Sequence, residues 1–311
     1  MNISFTRPLS LAWARMVRQL FRPFRFEAWL VLGFSAFLAR IFSHGGSIAS
    51  WNGGPVHGGL SSAAAEQGLE AVRDQLVRLL AHPAVLIAIA TGLVVVGVVV
   101  LVLAYVSARS QFVFLDCVMN RRAEFVGPWE RYGRQGRSLF LWNAVFSFAW
   151  LIPLAAVLVP CLSLLHALFT GGDIILPGLG LLIIGCLVAL VFALVIGFVQ
   201  VLLREFVVPL MWRYDETTTQ AWARFWPHLT VHFADFIAYA VFVLVLWIGV
   251  GIAVVAAGIA TCCIGLVLIA IPYVGSVVLL PVHVTGRALG PEFLAQYGPE
   301  WNVVPPLPAE E

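Results

Sequence analysis

Several long stretches of this 311-residue chain contain no charged side chain. Residues 84–106, 178–202 and 236–258 are each longer than a transmembrane helix requires and are almost wholly apolar. Because a helix needs about 20 apolar residues to cross the hydrocarbon of a bilayer, these stretches predict transmembrane helices. Composition agrees, since 61% of the residues are hydrophobic and 11% are charged, whereas about a quarter are charged in soluble domains. We therefore expect an integral membrane protein.

Six membrane crossings are expected along the chain. They cover residues 26–43, 84–106, 139–160, 178–202, 236–258 and a last stretch that ends at about Thr285. A secretory signal peptide is the alternative interpretation of the first stretch. However, residues 1–25 form too long a segment to precede the apolar part of a signal peptide.

A short motif precedes three of the apolar stretches. Its copies are Trp13-Ala14-Arg15, Trp129-Glu130-Arg131 and Trp222-Ala223-Arg224, and a phenylalanine follows each tryptophan at the same distance, as Phe24, Phe140 and Phe233. We interpret the chain as three copies of one unit, an amphipathic helix on the membrane surface followed by a transmembrane hairpin. The tryptophan and arginine of each motif are predicted to anchor that helix at the interface. Coincidence within generic interfacial composition is the alternative.

The expected fold is therefore all-α, a single integral membrane domain over residues 1–311. The three repeat units are expected at about 8–115, 122–212 and 215–293. A Gly- and Ser-rich insertion at 44–82 is expected outside the cytoplasm. The proline-rich tail at 294–311 is expected to be cytoplasmic, non-helical and solvated.

The arginines predict the orientation of the chain. The sequence has 18 arginines and no lysine. In the six-helix arrangement all of them fall in cytoplasmic segments except Arg40, Arg73 and Arg78. Since cytoplasmic loops carry the excess of basic residues, both termini are expected in the cytoplasm, and the membrane is expected to be the bacterial inner membrane.

Each even-numbered crossing ends with a polar residue four positions before an arginine. The pairs are Tyr105 and Arg109, Gln200 and Arg204, and His283 and Arg287. One helical turn separates the members of each pair, so three such helices around one axis would form a cationic ring for an anion or a lipid headgroup. In the alternative interpretation, each arginine extends to the interface and each polar residue bonds locally.

The sequence lacks the patterns of most enzymes and of metal sites. It contains no GxSxG, HExxH or glycine-rich phosphate loop, and its histidines and cysteines lack metal-ligand spacing. We therefore expect no enzymatic activity, no metal and no cofactor. The formal net charge of +2 also gives no reason to expect a nucleic-acid partner.

Two short segments carry a resemblance to known proteins. Leu20-Phe21-Arg22-Pro23-Phe24 with Trp29 and Leu32-Gly33-Phe34, and the later run Phe293-Leu294-Ala295-Gln296-Tyr297-Gly298-Pro299-Glu300, resemble an uncharacterised family of bacterial six-helix membrane proteins. More distantly, the arrangement is similar to the membrane domain of glycerophosphoryl diester phosphodiesterases. The phosphodiesterase barrel is absent here, so the resemblance implies an association with phospholipids but no catalysis.

Three hypotheses of function follow. The first is a non-enzymatic membrane protein that organises anionic lipids or a protein partner, which could be a second copy, at the cytoplasmic face. The alternative is a permease or channel for a small anionic or amphiphilic solute that passes the cationic ring. A lipid-modifying enzyme is a third and weaker hypothesis, because His283 or Asp116 could act as a base.

Overall fold

The computed structural model describes residues 3–22, 24–41, 82–170, 175–261 and 264–305. The architecture is all-helical, and no strand occurs in those ranges. The predicted insertion at 44–82 lies outside the described residues apart from His82.

The described helices are named here in chain order. They are α1 (Thr6–Leu20), α2 (Phe26–Arg40), α3 (Pro83–Asn120), α4 (Val126–Arg131), α5 (Gly133–Ala149), α6 (Leu151–Thr170), α7 (Ile175–Leu202), α8 (Val208–Tyr214), α9 (Thr218–Val231), α10 (Phe233–Ala260), α11 (Ile264–Ala270), α12 (Pro272–Val278) and α13 (Leu280–Leu294). A π-helical turn, Leu203–Val207, joins α7 to α8.

Four helical stretches are long and apolar enough to cross a membrane. They are Pro83–Asn120, Gly133–Leu164, Gly178–Tyr214 and Phe233–Ala260. The most apolar window of each is at most 11% buried within the protein, as expected for helices whose neighbours are lipids. These stretches match the second to fifth predicted crossings, so a membrane location is supported.

The first and last predicted crossings differ from the other four. The described part of the first is α2, which has 15 residues and is shorter than the roughly 20 that a crossing requires. The last is divided into α11, α12 and α13 by breaks at Ile271 and Leu279. Pro272 and Pro281 follow these breaks, and each lacks the backbone N–H that would continue the preceding helix.

The packed core lies at one end of the long helices. Helix α3 is exposed along its first half, and its residues from 110 to 119 are all buried. Helix α13 is buried at the same end, as is the segment formed by the π-turn and α8. Both pack against α3. We call three segments the converging helices. They are α3, the segment that runs from α7 through the π-turn to α8, and α13.

The Trp-x-Arg helices pack on this core through equivalent positions. In every copy the residues one position before, three after and seven after the tryptophan are buried. They are Ala12, Met16 and Leu20 in the first copy, Pro128, Tyr132 and Gly136 in the second, and Ala221, Phe225 and Leu229 in the third. The sequence predicts that these apolar faces lie against lipid. Instead they face the protein, because the converging helices offer an apolar surface to each of them.

The second and third motif helices each contact the converging helix that comes before them in the chain. Tyr132 stacks on Phe112 of α3, with ring centroids 6.0 Å apart. Phe225 stacks on Phe206 of the π-turn at 5.6 Å. Helix α1 packs on the last converging helix, α13. The first and last parts of the chain therefore meet.

The tail differs from its prediction. Helix α13 continues through Pro291 to Leu294, and Val303 and Val304 beyond it are buried. The backbone carbonyl of Pro305 accepts a hydrogen bond from Arg15. The expectation of a solvated tail is therefore corrected for residues up to 305, since apolar side chains and a buried arginine hold them on the core.

Candidate anion-binding site

Arg287 of α13 lies where the converging helices meet. Its Nη1 donates to the carbonyl oxygen of Arg204 at 3.0 Å, and its Nη2 donates to the carbonyl oxygen of Gln111 at 3.2 Å. The buried Nε has no hydrogen-bond partner among the described residues. One guanidinium group thus links all three converging helices through backbone carbonyls.

Arg204 and Glu205 lie side by side in the π-turn. Nε of Arg204 is 3.7 Å from a carboxylate oxygen of Glu205. The hydroxyl of Tyr239 donates to the other carboxylate oxygen at 3.5 Å. The Glu205 side chain is 8% exposed and that of Arg204 is 20% exposed. The carboxylate therefore compensates part of the positive charge that accumulates at this point.

A third arginine reaches the same place from α2. Nη1 of Arg40 is 2.7 Å from Nδ1 of His283, and Arg40 is close enough to Arg204 for their charges to repel. The distribution of arginines predicts Arg40 on the opposite side of the membrane from His283, which the contact contradicts. Helix α2 runs beside the buried half of α3, where the Ala39 carbonyl accepts a bond from Ser107.

We call Arg40, Arg204, Glu205, His283 and Arg287 the cationic cluster. Three guanidinium groups and one carboxylate meet in it. Buried charges need partners of opposite sign because they have lost their hydration. Positive charge predominates among these side chains, and anion binding by them stays a prediction.

A cleft leads from the exposed side of the helices to the cationic cluster. It has a volume of about 570 Å³ and lies between α3, α5 and α7. The wall distant from the core is apolar and includes Leu101, Phe148 and Ile196. The end near the core is polar and is lined by Gln111, Asn143, Gln200 and Arg204.

A second cavity lies on the other side of the π-turn. Its volume is about 500 Å³, and it is enclosed by α1, α10 and α13. Trp13, Trp247 and Leu289 are among its mostly apolar lining residues, and Glu205 is its charged member. The adjacent residues Arg204 and Glu205 thus line two different cavities.

The six residues of the predicted ring occupy different places. Arg204 and Arg287 are in contact, Gln200 lines the cleft, and His283 holds Arg40. Arg109 instead donates to the Trp129 carbonyl at 2.7 Å and to Tyr105 at 3.4 Å. The structure therefore brings Arg109 into local contacts, while anion binding by the other residues stays a prediction.

Arg40 is the member of the cluster that the sequence analysis missed. Helix α2 is apolar except for Glu27, Ser35 and Arg40. A single arginine at the end of such a segment is unusual enough to suggest a buried role. The positive-inside arrangement instead treats Arg40 as a residue that flanks the helix on the outer side of the membrane.

The predicted anchors also differ among the three motifs. Arg15 is buried and paired with Glu292, whereas Arg131 and Arg224 are exposed. Trp13 is exposed and lines the second cavity. Trp129 stacks on Phe125 beneath Arg109, and Trp222 stacks on Trp142. A headgroup contact by Arg15 would require this packing to open.

No group of three or more histidine, cysteine, aspartate or glutamate residues that could hold a metal occurs in the described part of the chain. The chemistry that the cationic cluster offers is electrostatic binding.

Comparison with known proteins identifies a family of unknown function. The family model that matches, over residues 6–297, is described as a family of unknown function, DUF7544. No curated protein and no solved structure matches the chain. The match is consistent with the resemblance to an uncharacterised family, whereas no link to glycerophosphoryl diester phosphodiesterases is shown.

Proposed function

Starting from the fact that the chain belongs to the DUF7544 family, whose function is unknown, we propose that it is a non-enzymatic membrane protein that binds an anionic lipid. The lipid would occupy the cleft between α3, α5 and α7. In this way the protein would organise anionic lipids at the cytoplasmic face of a bacterial inner membrane.

One observation carries the proposal, the order of apolar and cationic surface along the cleft. Leu101 and Ile196 line its apolar wall, and Arg204, whose backbone carbonyl accepts a bond from Arg287, lines its polar end. A lipid has the same order of parts, an acyl chain followed by a charged headgroup. Gln111, Asn143 and Gln200 add polar groups that can bond to the headgroup oxygens.

The three-unit architecture is part of the proposal. The equivalent buried positions of the motif helices support it, as does the way in which the converging helices end. Arg121 and Asp215 have positive φ angles of 54° and 56°, and each directly follows the last residue of a converging helix, α3 or α8. The contact between α1 and α13 would close the three units into a ring. If the chain crosses the membrane six times, the first crossing would need residues beyond α2 to reach the required length.

Lipid binding by an Arg204→Gln variant tests the proposal. Native mass spectrometry of protein extracted from its own membrane would compare it with the wild type and with Arg109→Gln. Arg109 is the matched control, because it has the same sequence spacing but bonds to Trp129 instead of lining the cleft. A charge-assisted hydrogen bond contributes about 1.5–3 kcal/mol, so we expect roughly tenfold weaker retention of anionic lipid in Arg204→Gln.

Two results would contradict lipid binding in this cleft. In one, the wild type carries no anionic lipid beyond what an unrelated membrane protein carries. In the other, Arg204→Gln and Arg109→Gln lose lipid to the same extent.

A permease for a small anionic solute is the second candidate. The observation in its favour is that Arg40, Arg204 and Arg287 lie together at the end of the transmembrane helices. It predicts anion flux in proteoliposomes that disappears in Arg204→Gln and persists in Arg109→Gln. Flux that is equal in the two variants would exclude this candidate.

A further inference from the structure

The second cavity is bounded by equivalent faces of three helices. On α10 its lining residues are Val243, Leu246, Trp247 and Val250, at the spacing i, i+3, i+4 and i+7. The lining residues of α1, within 6–13, and those of α13, within 282–289, repeat this spacing. Side chains so spaced share one face of a helix. Each helix therefore lines the cavity along two turns, a length of about 10 Å.

The hydroxyl and carboxylate groups that line this cavity have partners inside the protein. The hydroxyls of Ser10 and Thr285 each donate to a backbone carbonyl of their own helix at 2.8 Å. The Thr6 hydroxyl lies 3.2 Å from another hydroxyl, and Glu205 accepts a bond from Tyr239. A polar group that entered would lose its hydration and find few new partners, which is unfavourable. The cavity therefore suits an uncharged, apolar ligand.

The position of the cavity along α10 indicates what that ligand is. Residues 243–250 have ten residues of α10 before them and ten after them, and α10 is long and apolar enough to cross a membrane. The middle of such a helix lies at the depth of the hydrocarbon. Thr6, Ser10 and Trp13 are exposed, so the cavity is accessible along α1. Acyl chains are the apolar molecules present at that depth.

We propose that the second cavity binds an acyl chain of a membrane lipid, whatever headgroup the lipid carries. Since the surrounding bilayer is equally apolar, the chain would be held by close packing against the three helix faces. This site is separate from the cleft between α3, α5 and α7, where the proposed function requires an anionic headgroup. The proposal therefore goes beyond that function and does not depend on it.

Photo-cross-linking to the full chain in nanodiscs tests the proposal. The probe is a phosphatidylcholine with a diazirine on its acyl chain, and the labelled residues are identified by mass spectrometry. Leu289 lines the cavity and is 2% exposed, so chains in the surrounding bilayer do not reach it. Ile184 of α7 is 59% exposed and serves as the internal standard for contact with bulk lipid. We expect label on both residues in the wild type.

Two variants fill the cavity from opposite walls. Val250→Phe adds volume on α10, and Ser10→Phe adds volume on α1. Because overpacking is costly, the label on Leu289 relative to Ile184 should fall at least about fivefold in each. Val245→Phe is the matched control, since Val245 lies on the same helix, is 61% exposed and does not line the cavity. It should label as the wild type does.

Three results would overturn the proposal. The first is a wild type that is labelled at Ile184 but not at Leu289. The second is label on Leu289 that persists in both Val250→Phe and Ser10→Phe, or that Val245→Phe lowers to the same extent. The third is label that appears with the phosphatidylglycerol form of the probe and not with phosphatidylcholine, because the headgroup would then select the lipid.

Failure of this proposal is distinguishable from failure of the proposed function. The phosphatidylcholine probe has no net charge, so a protein that retains no anionic lipid in the cleft can still be labelled at Leu289. Conversely, loss of anionic lipid in Arg204→Gln, with Leu289 unlabelled in the wild type, would support the cleft and reject the second site.

Discussion

Arg15 and Arg224 occupy the same position of the Trp-x-Arg motif but lie in opposite environments. Nη2 of Arg15 is 3.0 Å from Glu292, and both side chains are buried. Arg224 pairs with Glu216 and lies over Tyr214, with its side chain 45% exposed. The residue type alone does not distinguish these roles, because the difference arises from whether α13 or solvent covers the helix.

Removing the buried arginine should therefore destabilise the protein far more than removing the exposed one. Arg15→Ala leaves Glu292 without its partner inside the core, which costs about 3–5 kcal/mol. Arg224→Ala removes an exposed pair that contributes about 0–1 kcal/mol. Thermal unfolding of the purified protein in detergent measures both. Equal melting temperatures for the two variants would show that the Arg15 pair contributes no more than a surface pair.

His228 gives the protein a dependence on pH that can be assigned to one side chain. Burial and the nearby charge of His232 lower the pKa of His228 to about 4. It packs against Tyr297 and Trp301, with Asp235 close to His232. Between the unfolded pKa near 6.5 and about 4, the unfolded chain binds a proton at this position and the folded chain does not. Stability should therefore fall as the pH decreases through this range.

The test compares the melting temperature at pH 7.5 and pH 5 in the wild type and in His228→Gln. The decrease on acidification should be smaller in the variant, because glutamine takes up no proton. His232→Gln serves as a control for the loss of a neighbouring imidazole. If all three proteins lose the same stability, then His228 is not the group responsible.

The close contact between α13 and the π-turn depends on one glycine. A β-carbon at Gly290 would overlap the carbonyl oxygen of Glu205. That backbone cannot move freely, because the neighbouring Arg204 carbonyl accepts the bond from Arg287. The contact therefore determines how the converging helices are placed around the cationic cluster.

Gly290→Ala should separate these two segments and destabilise the protein by about 1–3 kcal/mol, as overpacking does. Gly249→Ala is the matched control within a helix, since a β-carbon there would meet no atom within 4 Å. That change should be neutral or slightly stabilising, because alanine favours helix over glycine by about 1 kcal/mol. Melting temperatures that are lowered equally would indicate that the Gly290 contact has no special role.

The described ends of the chain lie beside each other in the whole molecule. The backbone N–H of Ser4 donates to the Gln296 side chain at 3.0 Å, and that side chain donates back to the Ser4 carbonyl at 3.0 Å. Segments in such contact must lie on the same side of a membrane. With the distribution of arginines, this supports the proposed cytoplasmic location of both.

Reporter fusions test that orientation. Green fluorescent protein should fluoresce when it is fused to either terminus, and alkaline phosphatase should be inactive at both, because each reporter works on one side of the inner membrane. An active phosphatase fusion at either end would contradict the proposed orientation. Active phosphatase fusions at both ends would mean that both termini lie outside the cytoplasm, still on the same side of the membrane.

Composition and hydropathy predicted an all-helical membrane protein with six crossings, and the structure supports four of them. Charge-free runs such as 178–202 have few alternatives, since only lipid or a large apolar core accepts them. The spacing of polar residues and arginines pointed to Arg204, Gln200, His283 and Arg287, but equally to Tyr105 and Arg109, which bond to each other and to Trp129 instead. These features depend on local composition and helical period, which can be read along one segment.

Which arginines meet depends on packing between segments that are distant in sequence. Arg40 joins Arg204 because α2 packs beside the buried half of α3, and Arg109 turns away because Trp129 offers it a carbonyl. The burial of Arg15 and of Val303 likewise depends on α13, which is distant in sequence. An arginine has the same local pattern whether it faces solvent, lipid or another helix. Its role is therefore decided by the partners that long-range packing provides.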